Sequence, residues 1–198
     1  MNRDERLKGL AAAMRLGQSL EHILAEHGDD AIVAGGCLRD AILGKPVKDY
    51  DIFIPRWTGD LPTDAADGIS SDEWKARKEK YGSLDAIYVK TEKYADQTFD
   101  LIYVYPDQTA EQDFTQWVLD RFDFNICKVA YHQTTGLEVD GDFWIDVLAK
   151  RLTLARGSRD WENHAERLKA KFPDYEFVDE REIALPGVQT TNGVGITK

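Results

Sequence analysis

Two aspartates spaced two residues apart have the clearest chemical potential in this sequence. Asp49 and Asp51 begin an apolar run that continues over residues 52–54. Because side chains alternate between the faces of a strand, both carboxylates would share one face, and Tyr50 and Ile52 the other. Carboxylates held this close repel each other, and a divalent cation removes the repulsion. Mg²⁺ prefers carboxylate oxygens and keeps waters and substrate phosphates as its other ligands, so the pair predicts a site for Mg²⁺ (or Mn²⁺) and a nucleotide.

A glycine pair upstream of the aspartates predicts a phosphate-binding turn. Gly35 and Gly36 follow a short apolar run, residues 31–34, and precede a helix-length stretch. Without a Cβ, they let the backbone turn sharply and approach a bulky ligand. The amides that begin the next helix, from about Cys37, would be free donors at the positive end of the helix dipole. Turn, helix and paired carboxylates together suit a nucleoside triphosphate. A Walker phosphate loop is excluded, because its Gly-x-x-x-x-Gly-Lys-[Ser/Thr] pattern does not occur.

The whole segment resembles the first motif of a known family. Gly-Gly, two residues, Arg-Asp, two, Leu-Gly, four, Asp-x-Asp is the head-domain pattern of bacterial-type tRNA CCA-adding enzymes and poly(A) polymerases, which belong to the DNA polymerase β nucleotidyltransferase superfamily. The positions are filled by Gly35, Gly36, Arg39, Asp40, Leu43, Gly44, Asp49 and Asp51. The resemblance implies an α/β (α+β) nucleotidyltransferase fold, a mixed sheet flanked by helices. It also implies transfer of a nucleoside monophosphate from a nucleoside triphosphate (NTP) to an acceptor hydroxyl, with release of pyrophosphate. The NTP contacts that it implies in this segment are Gly35, Gly36, Cys37, Arg39, Asp40 and Lys48.

A third carboxylate is predicted on a later strand. In residues 98–105, Asp100 interrupts the apolar face that it would share with Ile102 and Val104. A carboxylate in such a place is costly unless it is paired or metal-bound. In the resembled family a third acidic residue on a strand completes the metal cluster, and Asp100 fits that role. Asp85 is the second candidate for it, and an ion-paired or strand-edge aspartate is the alternative for Asp100.

A second motif of the same family, Arg-Arg-Asp-Phe-Thr-x-Asn-Ala, is matched irregularly around residues 120–127. One alignment reverses the charge order of Asp120 and Arg121, and the other brings Asn125 two positions early. The family's motif contacts ribose and triphosphate, which makes Arg121, Asp123 and Asn125 candidate NTP ligands. For Asp123, a helix cap or a partner of Arg121 is the alternative.

The apolar spacing places these residues in one main domain, 1–178, with a mobile insertion at 56–80 and a flexible tail at 179–198. Helices are predicted over 3–27 (one helix or a pair), 36–43, 110–119 and 158–171, and strands over 31–34, 50–55, 85–90 and 98–105. A hairpin joins 128–132 to 137–139, and segments 144–148 and 151–154 extend the sheet. The basic helix 158–171 offers either a phosphate- or acceptor-binding surface or a solvated face.

Composition limits the partners. The chain has 198 residues, a net charge of −11 and two cysteines, Cys37 and Cys127, which we interpret as small buried residues without disulfide or zinc spacing. No signal peptide or membrane span is visible, so a cytoplasmic enzyme is expected. The acidic total disfavours an extended RNA surface. The resemblance nevertheless implies an RNA 3′ end, tRNA foremost, as the acceptor. Transfer to a protein or small molecule, and a non-catalytic nucleotide-binding module, are the alternatives.

Overall fold

The computed structural model describes residues 1–56, 86–94, 97–104, 106, 113–158 and 160–182. The predictions for Asp85, for the tail beyond residue 182 and for all but the first residue of the 56–80 insertion lie outside these residues. The helices described are α1 (Arg3–Ser19), α2 (Glu21–Glu26), α3 (Gly36–Ile42), α4 (Phe114–Leu119), α5 (Gly141–Ala149) and α6 (Trp161–Lys171), with short 3₁₀ helices at Asn125–Cys127 and Glu180–Glu182. The strands are β1 (Ile32–Ala34), β2 (Asp49–Pro55), β3 (Ala86–Tyr94), β4 (Gln97–Val104), β5 (Val129–His132), β6 (Gly136–Val139), β7 (Arg151–Leu154) and β8 (Glu176–Asp179).

Six of these strands form one mixed sheet, in the order β3-β4-β2-β1-β5-β6. β2 and β4 are parallel, whereas the other neighbours are antiparallel. The register of the parallel pair sets Asp51 opposite Asp100. The predicted mixed sheet, the helix pair before it and the β5–β6 hairpin are therefore confirmed.

Apolar side chains cover both faces of the sheet and give the domain three layers. On one face, Tyr50, Ile52 and Leu101 pack with side chains of α1, α2, α3 and α5. On the other face, Phe53 and Ile102 pack with side chains of α4, β7 and α6. The central residues of β2 are buried, whereas Asp49 and Asp51 at its start are exposed and half-buried.

Helix α3 is held against α1 by a close backbone approach. A Cβ on Gly9 would lie 2.2 Å from the carbonyl oxygen of Ile42. Any larger side chain at this position would therefore push the end of α3 away from α1. This contact fixes the position of the helix that follows the glycine pair.

The prediction that residues 144–148 extend the sheet was wrong, because this segment belongs to α5. Asp140 caps the helix by accepting a hydrogen bond from the Asp142 amide, 2.8 Å long. Phe143 and Val147, four residues apart, are the buried pair on one helical face. A short apolar run is compatible with both a strand and a buried helix, and the cap favours the helix.

The strand predicted at 151–154 forms, but not in the main sheet. β7 pairs in parallel with β8, which lies just after α6 and includes the first residue of the predicted tail. This small sheet packs α6 onto the face of the domain that carries Asp49 and Asp51. None of the helices in the described part of the chain has both the length and the apolar character that crossing a bilayer requires.

Candidate active site

The two aspartates of β2 lie at the wall of a cavity of about 630 Å³. Asp49 is exposed and Asp51 is half-buried. Tyr50 and Ile52 belong to the core on the opposite face of the sheet, as the alternation predicts. The cavity is lined by Gly36, Cys37, Arg39, Asp40, Lys48, Asp49, Asp51, Phe53, Phe122, Asp123, Cys127, Ser158, Asp160, His164, Arg167, Leu168, Ala170 and Lys171. Residues far apart in the sequence, from α3, β2, the 120s segment and α6, therefore meet in one place.

Asp100 lies beside Asp51 on the neighbouring parallel strand but is not part of the cavity wall. Its side chain is buried, and its carboxylate accepts a 2.6 Å hydrogen bond from the Thr91 hydroxyl on β3. Thr91, Asp100 and Asp51 thus form a row across three adjacent strands. Within the described residues, no three acidic, His or Cys side chains stand in a ready-made metal cluster, so the assignment of Asp100 as a metal ligand stays a prediction.

The donor set at the cavity fits a hard divalent cation bound together with phosphates. Asp49 and Asp51 both offer carboxylate oxygens from one strand face. Mg²⁺ is usually held in proteins by one or two carboxylates, and waters and substrate phosphates complete its octahedron. The two residues that could hold such an ion at this wall are therefore Asp49 and Asp51.

The glycine pair makes the turn between β1 and α3. Gly35 has φ = 84°, a conformation that favours glycine. A Cβ at this residue would also lie 2.9 Å from the ring of Phe122. Two separate constraints, backbone conformation and space, thus require glycine here. The turn places Gly36 and Cys37, but not Gly35 itself, at the cavity wall.

Arg39 and Asp40 are buried and paired with each other rather than open to a ligand. The Arg39 Nε donates to Asp40 Oδ1 over 2.9 Å, and Lys171 of α6 forms an ion pair with the other carboxylate oxygen. The Arg39 guanidinium also lies over the ring of Phe172. Because two cations already satisfy Asp40, this pair joins α3 to the end of α6 and shapes the cavity wall.

Of the predicted second-motif residues, the structure brings only Asp123 to the cavity. The Asp123 carboxylate accepts hydrogen bonds from the Ser158 amide (2.8 Å) and the Ser158 hydroxyl (2.6 Å). Arg121 stacks on the Trp117 ring at 3.6 Å and donates to the Trp117 carbonyl. Asn125 is buried in a 3₁₀ helix. Arg121 and Asn125 do not line the cavity. The sequence left open a pairing of Asp123 with Arg121, but in the structure the hydrogen-bond donor to Asp123 is Ser158.

The sequence analysis missed a group of charged side chains centred on the half-buried His164. The His164 Nδ1 lies 3.9 Å from Asp123 Oδ2. Burial lowers the pKa of His164, but the neighbouring Asp123 carboxylate and Cys127 sulfur outweigh this and raise the pKa to about 9. Burial also raises the pKa of Cys127, but Arg39 and His164 together lower it below the ordinary value.

The two cysteines of the cavity thus differ in their electrostatic surroundings. Cys37 is buried beside Asp51, and burial together with that carboxylate raises its pKa to about 12. Cys127 is equally buried but accepts a 3.2 Å hydrogen bond from the Arg39 Nη1. The interpretation of Cys127 as a small apolar residue was therefore incomplete. The one signal in the sequence was the basic helix, in which His164, Arg167 and Lys171 are spaced to share a face.

The chain has the nucleotidyltransferase fold that is seen in solved CCA-adding enzymes. A solved CCA-adding enzyme in complex with ATP superposes with a TM-score of 0.50 at 18% identity, over 84% of this chain and 40% of that one. The CCA-adding enzyme of Bacillus stearothermophilus in complex with CTP superposes with a TM-score of 0.46 at 16% identity, over 85% and 38%. The chain spans about two fifths of the length of these structures, and at this identity the likeness concerns the fold alone.

A match to a family model classifies the chain more specifically than its fold does. The model described as "Gad2: Gabija anti-defense 2 family protein" matches residues 11–150. The chain belongs to the Gabija anti-defense 2 family. No curated protein sequence matches it. The nucleotidyltransferase fold that the first motif implied is therefore confirmed, whereas membership of the CCA-adding and poly(A) polymerase family is not.

Proposed function

We propose that the chain is a Mg²⁺-dependent nucleotidyltransferase, which moves a nucleoside monophosphate from an NTP to an acceptor hydroxyl. The observation that carries this proposal is the placement of Asp49 and Asp51 on one face of β2, at the wall of a 630 Å³ cavity that Lys48 and Arg167 also line. A cavity of this volume is in the range of small-molecule and cofactor sites. The nucleotidyltransferase fold supports the same chemistry.

In this proposal the acidic side chains bind metal and the basic side chains bind phosphate. Asp49 and Asp51 hold the cation, which when bound neutralises charge on the triphosphate and the leaving pyrophosphate. Asp100, oriented by Thr91, supplies the third carboxylate, because hydrogen-bonded outer partners of this kind commonly fix a ligand. Gly36 leaves room for the phosphates at the wall of the cavity.

Two exposed cations of the cavity have no ion pair with any described residue, and they are the proposed phosphate ligands. Lys48 directly precedes Asp49, and Arg167 lies on α6. By contrast, Arg39 and Lys171 are already engaged with Asp40. Of the predicted NTP contacts we therefore keep mainly Gly36, Lys48 and Asp123, and we add Arg167 to them. Arg39 and Asp40 are the residues that position the wall.

Substitution of Asp51 tests the catalytic assignment. The chain is incubated with each labelled NTP, Mg²⁺ and a total cell extract, and the label is followed in RNA, protein and small-molecule fractions. Asp51→Ala should remove transfer while circular dichroism shows a retained fold. Asp29→Ala, which removes an exposed aspartate outside the cavity, is the matched control and should transfer normally. Undiminished transfer by Asp51→Ala would exclude this cavity as the active site.

The acceptor that we propose first is an RNA 3′ end, because the first motif is shared with enzymes that act there. The net charge of −11 favours a different acceptor, a protein or small molecule. The family description, Gabija anti-defense, favours a component of that defence as the acceptor. Label recovered in the RNA fraction supports the first proposal, and label confined to protein or small molecules supports the second. A cytoplasmic site of action stays a prediction in either case.

A non-catalytic nucleotide-binding module is the candidate from a different class. Its support is the placement of Arg121 and Asn125 away from the cavity and the engagement of Asp100 by Thr91. Calorimetry separates the two classes. Metal-dependent NTP binding without pyrophosphate release, with every acceptor fraction present, would favour the module.

A further inference from the structure

Cys127 occupies a position that the proposed transfer reaction does not use. The residue lies in the 3₁₀ helix behind α6 and lines the cavity. Its sulfur accepts a hydrogen bond from the Arg39 Nη1 at 3.2 Å, and His164 is its second basic neighbour on the cavity wall. A thiol that only filled space would need neither a guanidinium nor an imidazole at its sulfur.

The side chains around Cys127 form a chain of alternating charge along the cavity wall. Asp123 is followed by His164, Cys127, Arg39 and Asp40. Lys171 then pairs with Asp40, and Ser158 donates to Asp123 at the other end. With Cys127 as a thiolate, every neighbour in this series has the opposite charge. With a neutral thiol, the Arg39 and His164 cations would face each other across an uncharged sulfur.

Cys37 provides an internal contrast in the same cavity. Both cysteines are buried to a similar degree and both line the wall. The Cys37 sulfur lies 3.8 Å from the Ala34 carbonyl, to which it donates, and Asp51 is its charged neighbour. Equal burial with opposite neighbouring charge means that any difference in reactivity reports the charge.

We propose that Cys127, with His164 and Asp123, forms a nucleophilic thiol centre and is a modification site for small electrophiles, hydroperoxides in particular. Thiolates beside Arg and protonated His are the reactive cysteines of proteins, and the cavity that Cys127 lines is where a small electrophile would meet its buried sulfur. His164 holds the proton and Asp123 orients the imidazole. The site goes beyond nucleotidyl transfer, and it exists whether or not the chain transfers nucleotides.

The oxidation of Cys127 needs only the hydroperoxide and the His164 proton. The Cys127 sulfur attacks the distal oxygen of the hydroperoxide, an S–O bond forms and the O–O bond breaks. The departing hydroxide or alkoxide takes the proton of the His164 imidazolium and leaves as water or alcohol. The product is a sulfenic acid, which a thiol can return to cysteine.

Alkylation of the native chain by iodoacetamide measures the nucleophilicity directly, with peptide mass spectrometry reading each cysteine. The sulfur–carbon bond forms and iodide leaves. At pH 7 we expect Cys127 to react at least about 100-fold faster than Cys37, because the thiolate is the reacting form. In urea the two should react at similar rates. A native Cys127 that reacts no faster than Cys37 would overturn the proposal.

His164→Gln tests the role of the imidazole. The variant keeps a hydrogen-bonding side chain and removes the charge, so Cys127 should react about fivefold to tenfold more slowly while Cys37 is unchanged. An unchanged Cys127 rate would show that His164 plays no part. If the variant unfolds, Cys37 reveals this by reacting at its urea rate, and the wild-type pH profile then decides. That profile should level off well below the ordinary thiol pKa of about 8.5, and a rate still rising through that pH contradicts a thiolate.

Hydrogen peroxide with dimedone, which traps sulfenic acids, tests the ligand class. A dimedone adduct should appear on Cys127 and not on Cys37, and Cys127→Ser should abolish it. Peroxide that leaves Cys127 unmodified, in a chain whose Cys127 alkylates rapidly, would overturn the assignment of hydroperoxides while the thiol centre stands.

Discussion

The cavity has two walls of opposite charge that are built in different ways. The acidic wall is the end of β2, with Asp49, Asp51 and the neighbouring Cys37. The basic wall is the inner face of α6, with His164, Arg167 and Lys171, joined by Arg39 and Cys127. Both carboxylates of the acidic wall come from one short segment, whereas three separate segments, α6, α3 and the 3₁₀ helix at Asn125–Cys127, assemble the basic wall. A sequence motif can therefore specify the first, and only the tertiary fold specifies the second.

The two walls also have different chemical roles. The acidic wall places carboxylates where a cation can bridge them to phosphate. The basic wall pairs most of its charges internally and leaves Arg167 toward the cavity without an ion pair to any described residue. Substitutions in the acidic wall should therefore affect catalysis first, and substitutions in the basic wall should affect stability and nucleotide affinity.

The largest loss of activity is expected from substitutions in the acidic wall. Asp51→Asn should reduce the rate of pyrophosphate release by about 10²- to 10³-fold, the typical cost of losing one electrostatic group at a reacting centre. Asp100→Asn should cause a loss of similar size if Asp100 completes the metal site. Asp29→Asn is the control. A loss below about tenfold for Asp100→Asn would limit its role to pairing with Thr91.

The next effect is on stability at the basic wall. Asp123→Asn weakens two hydrogen bonds from Ser158 and the contact with His164, which should cost about 2 kcal/mol and lower the melting temperature by about 5 °C. Glu162→Gln, at an exposed position in the first turn of α6 outside the cavity wall, is the control and should change the melting temperature by much less. An unchanged melting temperature for Asp123→Asn would mean that the contacts of Asp123 with Ser158 and His164 do not stabilise the packing of α6 on the domain.

The same network predicts how stability depends on pH. The pKa of His164 is raised from its ordinary 6.5 to about 9 in the folded chain, so its charge favours the folded state. This contribution is fully present below about pH 6.5 and disappears as the pH rises through 9. Urea titrations of the wild type should show the loss over this window, and His164→Gln should show less of it. Identical pH profiles would contradict the charged imidazolium.

A smaller effect is expected on nucleotide affinity. Arg167→Gln should weaken ATP binding about tenfold, since it removes one charge-assisted contact to phosphate. Lys169→Gln is the control on the same helix, because Lys169 pairs with Glu166 outside the cavity wall. Equal affinity for the two variants would exclude Arg167 as a phosphate ligand.

The smallest predicted effect is on the alkylation rate of Cys37 compared with that of Cys127. Burial and, after it, the Asp51 carboxylate raise the pKa of Cys37, so Asp51→Asn should remove the second cause and speed the alkylation of Cys37 several-fold. Cys127, on the other wall, should react at its wild-type rate. A change at both cysteines would indicate a general loosening of the cavity rather than a local charge effect.

The acidic wall could be predicted from the sequence because its geometry is local. The two-residue period of a strand places Asp49 and Asp51 together wherever β2 lies, and the glycine turn precedes them in the same motif. The register that sets Asp100 beside Asp51 depends on strand pairing, which the sequence hinted at only through a carboxylate on an apolar face.

The basic wall could not be predicted, because its contacts are long-range. Cys127, His164 and Arg39 meet only when α6 packs over the sheet, and that packing depends on the small β7–β8 sheet. Residues 144–148 were misassigned because five residues, apolar except for Asp146, are too few to distinguish the strand period from the helix period. The cap at Asp140 decides between the two.

Calorimetric titration of ATP into the wild type and into an Asp49→Asn, Asp51→Asn double variant, each with and without Mg²⁺, tests the central claim most directly. We predict Mg²⁺-dependent binding by the wild type and by the Asp29→Asn control, and loss of that metal dependence in the double variant. Two results would contradict the account of the acidic wall. One is wild-type ATP affinity that does not depend on Mg²⁺, and the other is a double variant whose ATP affinity depends on Mg²⁺ as strongly as that of the wild type.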